Sequence, residues 1–347
     1  MEVGAGGMRP HVLAARLDNN GDVLLAGPAI RAIASGASQV TLLCGPRGVD
    51  AARLLPGVDH LMVFLAPWID AEPPPVDPMA IEALIDDIRR RQVDQAIIFT
   101  SYHQSALPLA LVLRMAGVPV IAAVSEDYPG SLLNVRQRVS DDIHEVERNL
   151  SLAATLGYQL SPGDDGRLRI ERAAPAAPDF PYVVVHPGAT APARTWPANH
   201  HAALVRALSR SGRKVMVTGS ASEKALTALV AGNDPRVTDL GGRLDFAELA
   251  DVIAAADVLI AGNTGPAHLA AAVGTPVVSL FAPVVPAVRW RPWRVPQVLL
   301  GDQDAPCAGS RARICPIPGH PCLSNVSVDA VMAAVHQLTA NRMVLAS

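Results

Sequence analysis

Residues 257–281, DVLIAGNTGPAHLAAAVGTPVVSLF, carry the reading of the fold. The stretch opens on an apolar strand over 257–261 and crosses a polar turn, Gly262-Asn263-Thr264-Gly265. It then enters a small-residue helix over 265–273 with Pro266 in the first turn, where a missing N–H costs nothing. A second apolar strand follows at 276–281. Short runs of Val, Leu and Ile joined by a helix suit parallel strands with helices packed on them. The turn also has a chemistry. Free backbone N–H groups and the positive end of the helix make an anion site suited to a pair of phosphates, and the glycines let the backbone come close to a ligand. His268, one turn into the helix, reads equally as a phosphate contact or as core filler.

The same alternation runs through the chain. Strands are expected over 11–17, 39–44, 60–65, 94–100 and 120–124, with helices over 23–35, 78–91 and 104–116 between them. A second series has strands over 182–186, 214–218, 236–240, 257–261, 276–281 and 297–300. Its helices cover 199–211, 222–231, 246–256 and 265–273, and a last helix over 328–338 follows Ser327 as its cap. Strand–helix alternation predicts doubly wound parallel sheets. The two series are separated by a Pro- and Ala-rich linker composition, RAAPAAPDFP. The expected organisation is an N-terminal domain over 1–172, a linker over 173–181 and a C-terminal domain over 182–347. Ligands are then expected at the carboxyl ends of the strands, in the crevice between the two domains.

Two further stretches hold candidate chemistry. In ARLDNNGDVLLAGPAI, residues 15–30, a strand ends at Leu17, Asp18-Asn19-Asn20-Gly21 turns the chain, and a helix opens near Asp22. Asp18 or Asp22 reads as a cap of that helix; Asp22 also reads as a base, and the helix dipole keeps a carboxylate ionised in either role. The stretch lacks both G-x-G-x-x-G and the Walker lysine, so it is no phosphate loop. In VVVHPGATAPARTWPANHH, residues 183–201, a buried strand ends at His186-Pro187-Gly188. Thr190 and Arg194 offer a hydroxyl and a guanidinium that suit a diphosphate. Trp196 reads as a packing anchor and His186 as a possible structural histidine.

Composition excludes several classes. The chain has 347 residues, half of them apolar, enough for two cores. A formal charge of −3 argues against a nucleic-acid binder. No apolar run reaches the roughly 18 residues of a membrane span, and the first residues, MEVGAGGMRPH, lack a signal-peptide core, so a cytoplasmic location is expected. Four cysteines are too few for a disulfide framework.

Other clusters are weaker. Cys307, Cys315 and Cys322 with His320 have poor spacing for a structural zinc, and the reading they favour is a surface loop with free thiols. Residues 288–294, VRWRPWR, suit a packed loop better than an anionic or membrane contact. Tyr102, His103 and Gln104, after the strand ending at Thr100, and Glu126, Asp127 and Tyr128, after the one ending near Val124, are placed to overhang an acceptor, unless they are ordinary loop and capping residues. Asp141, Asp142, His144, Glu145 and Glu147 read as a solvated helix face.

Taken in order, the three main stretches resemble the heptosyltransferases, glycosyltransferase family 9. Arg16-Leu17 and Gly21-Asp22-Val23 match the family's opening R-L-x-x-x-G-D-V turn. His186-Pro187-Gly188 and Arg194-Thr195-Trp196-Pro197 match its H-P-G and K-x-W-P segments, and residues 263–276 match its D-T-G-P-x-H-L-A-A-A-x-G-T-P stretch. The resemblance implies a GT-B fold, two Rossmann-like domains facing a central cleft. It implies an inverting transfer, without metal or cofactor, of a sugar from an ADP-sugar to a hydroxyl of a saccharide, glycolipid or secondary metabolite. Asp22 would be the base; Thr190, Arg194, Asn263, Thr264, Gly265 and His268 would line the donor phosphates, with Glu223 near the nucleoside. Asn20, Tyr102, His103 and Asp127 would lie on the acceptor side. A monomer in peripheral contact with the inner face of a membrane is the expected setting. Asn263 and Arg194 depart from the family's Asp and Lys, which bears on the identity of the sugar. Three rivals are weighed: a sugar-nucleotide-binding protein without turnover, an epimerase on the same fold, and a Rossmann oxidoreductase, disfavoured because no G-x-G-x-x-G with a following acidic residue stands at either domain's first turn.

Overall fold

The computed structural model describes residues 9–70, 72–173 and 180–345. The chain divides into two compact units, Met1–Glu171 and Arg172–Ser347. Most of the expected linker and the first eight residues lie outside the described residues.

Unit one is built on six parallel strands: β1 (His11–Arg16), β2 (Gln39–Cys44), β3 (His60–Val63), β4 (Gln95–Ile98), β5 (Val120–Val124) and β6 (Val135–Gln137). They lie in the order β3-β2-β1-β4-β5-β6, the Rossmann arrangement, with Arg16 opposite Cys44 and Ala15 opposite Ile98. The helices are α1 (Asn20–Gly36), α2 (Val49–Ala52), α3 (Pro78–Arg90), α4 (Leu107–Met115) and α5 (Glu145–Ala154). Every residue of β1 is buried, as expected of a central strand covered on both faces. One of them is an arginine.

Unit two repeats the plan with β7 (Tyr182–His186), β8 (Lys214–Val217), β9 (Val237–Asp239), β10 (Val258–Gly262), β11 (Val277–Leu280) and β12 (Gln297–Leu300). Their order, β12-β11-β10-β7-β8-β9, is the same arrangement read from the other edge. The helices are α6 (Ala198–Arg210), α7 (Lys224–Ala231), α8 (Phe246–Ala254), α9 (Gly265–Val273), α10 (Ala287–Trp290), α11 (Pro321–Ser324) and α12 (Val328–Leu345). Helix α9 starts and stops where its residues dictate. Pro266 sits in the first turn, and Gly274, at φ +82°, closes the helix in a left-handed conformation with its N–H on the Ala270 carbonyl. Ser327 caps α12 through its hydroxyl, which accepts from the Ala330 N–H at 3.1 Å.

Four expectations need correction. Helix α1 begins at Asn20, so Asp22 lies within its first turn, and the capping position is Asn19. Strand β6 has no apolar run to announce it; its residues, Val-Arg-Gln, are half-buried at the sheet edge. The charged stretch 141–147 is only in part a solvated face. Asp141, Asp142 and Glu147 are exposed, but His144 and Glu145 are buried, with Glu145 only 1% exposed. The cysteines of residues 307–322 form no disulfide, as expected, but Cys307 and Cys322 are not at the surface. Cys307 and Cys322 belong to the apolar core of unit two and Cys315 packs against it.

Candidate active site at the two strand switch points

In an open Rossmann sheet, successive connections leave the central strand pair toward opposite edges, and the loops at its carboxyl end part there. In unit one that pair is β1 and β4. The loop after β1 carries Asp18, the first turn of α1 carries Asp22, and the loop after β4 carries Ser101 and Gln104. Asp18, Asp22 and Ser101 meet at the guanidinium of Arg16, which closes β1, and Gln104 holds Asp18 and Ser101. Arg16 is 0% exposed. Its Nη2 donates to Asp22 Oδ1 at 3.1 Å and to Ser101 Oγ at 2.6 Å, and its Nη1 donates to Glu145 Oε2 at 3.4 Å. Arg16 Nε lies 2.8 Å from Asp18 Oδ2, a charge contact in which the N–H points away from a hydrogen bond. Gln104 Nε2 donates to Asp18 Oδ1, and the Ser101 N–H donates to Gln104 Oε1 at 2.9 Å.

Buried charges survive only when paired. Here two guanidiniums, Arg16 and Arg148, face three carboxylates, Asp18, Asp22 and Glu145. Burial drives the carboxyls of Asp18 and Glu145 above their ordinary values, against the pull of Arg16. Burial opposes the Arg16 charge too, but the three carboxylates outweigh it and hold that group above its usual range. Asp22 is the outermost member, with 21% of its side chain exposed. Its Oδ1 is tied to Arg16 and lies 3.5 Å from Ser101 Oγ, while no hydrogen bond among the described residues engages Oδ2. Neither Asp18 nor Asp22 caps α1 with its side chain. Asn20 instead accepts from the Ala51 N–H at 3.0 Å, joining α1 to α2.

Of the other residues expected on this side, Tyr102 is exposed and donates to Asp141 Oδ2 at 3.0 Å. His103 and Asp127 are exposed in the loops after β4 and β5.

In unit two the central pair is β7 and β10. The segment after β7 carries exposed Thr190 and half-buried Arg194, and the turn after β10 carries buried Asn263, then Thr264 and Gly265 at the start of α9. The two are pressed together. A Cβ on Gly262 would stand 2.6 Å from the Arg194 carbonyl oxygen, so only glycine fits there. Thr264 occupies the N-cap position of α9, yet its hydroxyl makes no cap bond, and Thr264 Oγ1 is buried without a hydrogen-bond partner among the described residues. A buried orphan hydroxyl beside a helix N-terminus is where an anionic ligand would be received. His268 is buried one turn further on. Glu223, after β8, closes a capping box, its Oε2 accepting from the Ser220 N–H at 2.7 Å and Ser220 Oγ at 2.8 Å. The Glu223 carboxylate lies over the Cα of Gly188, so it too sits at the carboxyl end of β7.

The Arg194 segment is braced from behind. The Ala193 N–H donates to the Arg313 carbonyl at 2.9 Å, and His320 Nε2 donates to the Ala193 carbonyl at 3.1 Å. Trp196, 2% exposed, donates from Nε1 to the Val326 carbonyl at 3.1 Å, as a packing anchor does. His186 is buried, with Nδ1 3.0 Å from Thr218 Oγ1, and burial holds its pKa down. In residues 288–294, Arg289, Trp290 and Trp293 are buried, which fits a packed loop. Among the described residues, no three His, Cys, Asp or Glu side chains come together as a metal site, and no helix is long and apolar enough to cross a membrane.

Sequence reasoning passed over Ser101 and Arg148, set Gln104 among the acceptor-side loop residues and Glu145 on a solvated face. One signal was available: an arginine closing an otherwise apolar central strand must find carboxylates in the interior.

Residues 81–319 match the family model for glycosyltransferase family 9 (heptosyltransferase). Lipopolysaccharide heptosyltransferase 1 of Pseudomonas aeruginosa is 31% identical over 300 residues, covering 78% of this chain and 82% of its own. Two solved structures share the fold. The E. coli ADP-heptose lipopolysaccharide heptosyltransferase II superposes with a TM-score of 0.76 at 18% identity, covering 96% of this chain and 99% of that one. A family 9 glycosyl transferase from Veillonella parvula gives 0.79 at 16% identity, covering 97% and 99%. The two Rossmann-type sheets are thus those of a GT-B glycosyltransferase.

Proposed function

The chain belongs to glycosyltransferase family 9, the heptosyltransferases, and on that premise we propose that it transfers heptose from ADP-heptose to a hydroxyl of the lipopolysaccharide inner core, with inversion and without a metal ion. The observation that carries the reading is the state of Asp22: Oδ1 is held by Arg16, while Oδ2 has no hydrogen-bond partner among the described residues. A carboxylate fixed by one oxygen and open at the other is suited to take a proton from a bound hydroxyl. In the proposed step the acceptor oxygen attacks the anomeric carbon as Asp22 removes its proton, and the bond from that carbon to the diphosphate oxygen breaks. The electron pair leaves with ADP, so one displacement inverts the anomeric centre.

Unit two supplies the donor side. The guanidinium of Arg194 and the hydroxyl of Thr190 face the leaving-group charge, together with Asn263, Thr264, Gly265 and His268 at the start of α9. Fixed donors of this kind stabilise developing negative charge without a divalent ion. The orphan hydroxyl of Thr264 gains a phosphate oxygen as its acceptor. Glu223 serves the nucleoside, and Asn20, Tyr102, His103 and Asp127 flank the acceptor. The enzyme acts as a monomer at the cytoplasmic face of the membrane that carries its acceptor.

Transfer is assayed with ADP-heptose and lipopolysaccharide from a heptose-deficient strain, with and without EDTA. ADP released in step with a heptosylated product, at a rate unchanged by chelator, is the expected result. Loss of all activity with EDTA refutes metal independence, and a product that keeps its nucleotide refutes transfer.

A further inference from the structure

The interior partner of Arg16 comes from a distant part of the chain. Glu145 opens α5, 129 residues beyond Arg16, and its carboxylate is 1% exposed. Burying a carboxylate is costly, and the surroundings show what offsets the cost. One oxygen, Oε2, accepts from Arg16 Nη1 at 3.4 Å; the other, Oε1, lies 3.7 Å from Arg148 Nη1. The first turn of a helix also favours negative charge.

The neighbours of Glu145 are held to the elements that carry the site. Arg148 donates to the carbonyl of Thr100, the residue before Ser101. Asn149 Nδ2 donates at 3.3 Å to the carbonyl of Leu25, in the helix that carries Asp22. The start of α5 itself is fixed by a reciprocal capping box between His144 and Glu147. A guanidinium is planar, so holding Nη1 at Glu145 sets the direction in which Nη2 faces Ser101 and Asp22.

We infer that Glu145 is a positioning residue for the transfer: clamped between Arg148 and Arg16, it orients the Arg16 fork that holds Asp22 Oδ1, and so aims Oδ2 of Asp22. It touches no substrate and acts through Arg16. The inference rests on the reading of Asp22 as the base.

The test is Glu145→Gln, which keeps the shape and removes the charge, measured alone and combined with Asp22→Asn. Misplacement of a reacting group by about an ångström costs up to roughly a hundredfold in rate. Glu145→Gln is therefore expected to lower kcat by about ten- to a hundredfold while the Kd for ADP, measured by calorimetry, stays within about twofold. On the Asp22→Asn background the same change is expected to cost less than about threefold, because the group it aims is already gone. Wild-type kcat in Glu145→Gln overturns the inference, and so does an equal loss on both backgrounds. The Asp22→Asn single variant tests the underlying reading by itself: if its kcat is normal, the base assignment fails whatever Glu145→Gln does. If Glu145→Gln does not fold, Glu145→Asp, which draws the charge back by one methylene, is compared in the same way, and unchanged kcat there also overturns the inference.

Discussion

Replacing Asp22 by Asn separates chemistry from architecture more cleanly than any other change in this chain. The amide keeps the size of the carboxylate, and its oxygen can still accept from Arg16 Nη2 and from Ser101 Oγ, the two contacts that Asp22 Oδ1 makes now. What it loses is the capacity to take a proton. General-base catalysis contributes about 10²–10⁴ in rate, so kcat is expected to fall by that factor, equivalent to about 3–5 kcal/mol in the barrier. The stability cost is smaller. The Asp22 side chain is 21% exposed and its partner Arg16 is buried, but the amide keeps the hydrogen bond and gives up only the charge on it, a difference of about 1 kcal/mol. The charge left behind is not stranded, since Arg16 keeps Asp18 and Glu145. A fall in Tm of no more than about 4 °C follows for a chain of this size. ADP release from ADP-heptose in the presence of acceptor measures kcat, calorimetry gives the Kd for ADP, and a thermal melt is run on the same preparation. Turnover within about threefold of the unsubstituted enzyme at normal ADP affinity refutes the reasoning. So does a large loss of stability, which would make Asp22 a structural member of the cluster.

Other expectations concern the donor side and acid stability. Arg194→Ala is expected to weaken ADP binding by about one to two orders of magnitude, the worth of a charge-assisted contact, with acceptor KM little changed; calorimetry with ADP decides it. Thr264→Val removes a buried hydroxyl that has no partner among the described residues, so Tm is expected to hold or rise slightly while ADP affinity drops by about fivefold, and a loss of stability instead would mean the hydroxyl is used within the fold. Asp164, which accepts from Arg31 Nε at 2.7 Å and Nη2 at 2.9 Å, is held down to about 2 by the Arg31 hydrogen bond. A lowered carboxyl stabilises the fold above its unfolded value near 4 and loses that contribution as pH falls toward 2, so Asp164→Asn should cost about 1 kcal/mol at pH 7 and almost nothing near pH 2, read from melts across that range.

How much of this was legible depends on where the information lies along the chain. Strands β2, β5, β7 and β12 and helix α9 have the bounds expected of them, because an apolar run and a flanking Gly or Pro are local signals. The polar turn that opens α9 was readable for the same reason. The Arg16 cluster was not, because its members come from the ends of β1 and β4, the start of α1 and the start of α5, and a charge run carries no mark of which side faces inward. Glu145 and Glu147 look alike in sequence; the first turns into the core and the second closes the capping box at the surface. The cysteine segment misled for a related reason. Its Pro- and Gly-rich composition reads as an open loop, yet Cys307 and Cys322 fill the core beneath the Arg194 segment.

Those buried thiols give each unit its own reporter. Cys44 lies at the end of β2 in unit one, and burial pushes its thiol up to about 11; Cys322, in unit two, is pushed up to about 11 as well. Only the thiolate reacts with alkylating reagents, so at neutral pH both stay silent in the native fold and become reactive when the surrounding core opens. Timed alkylation followed by peptide mass analysis thus reads two opening free energies from one unmodified chain. A donor that binds unit two is expected to slow labelling at Cys307 and Cys322 while leaving Cys44 at its own pace, unless the two units open as one.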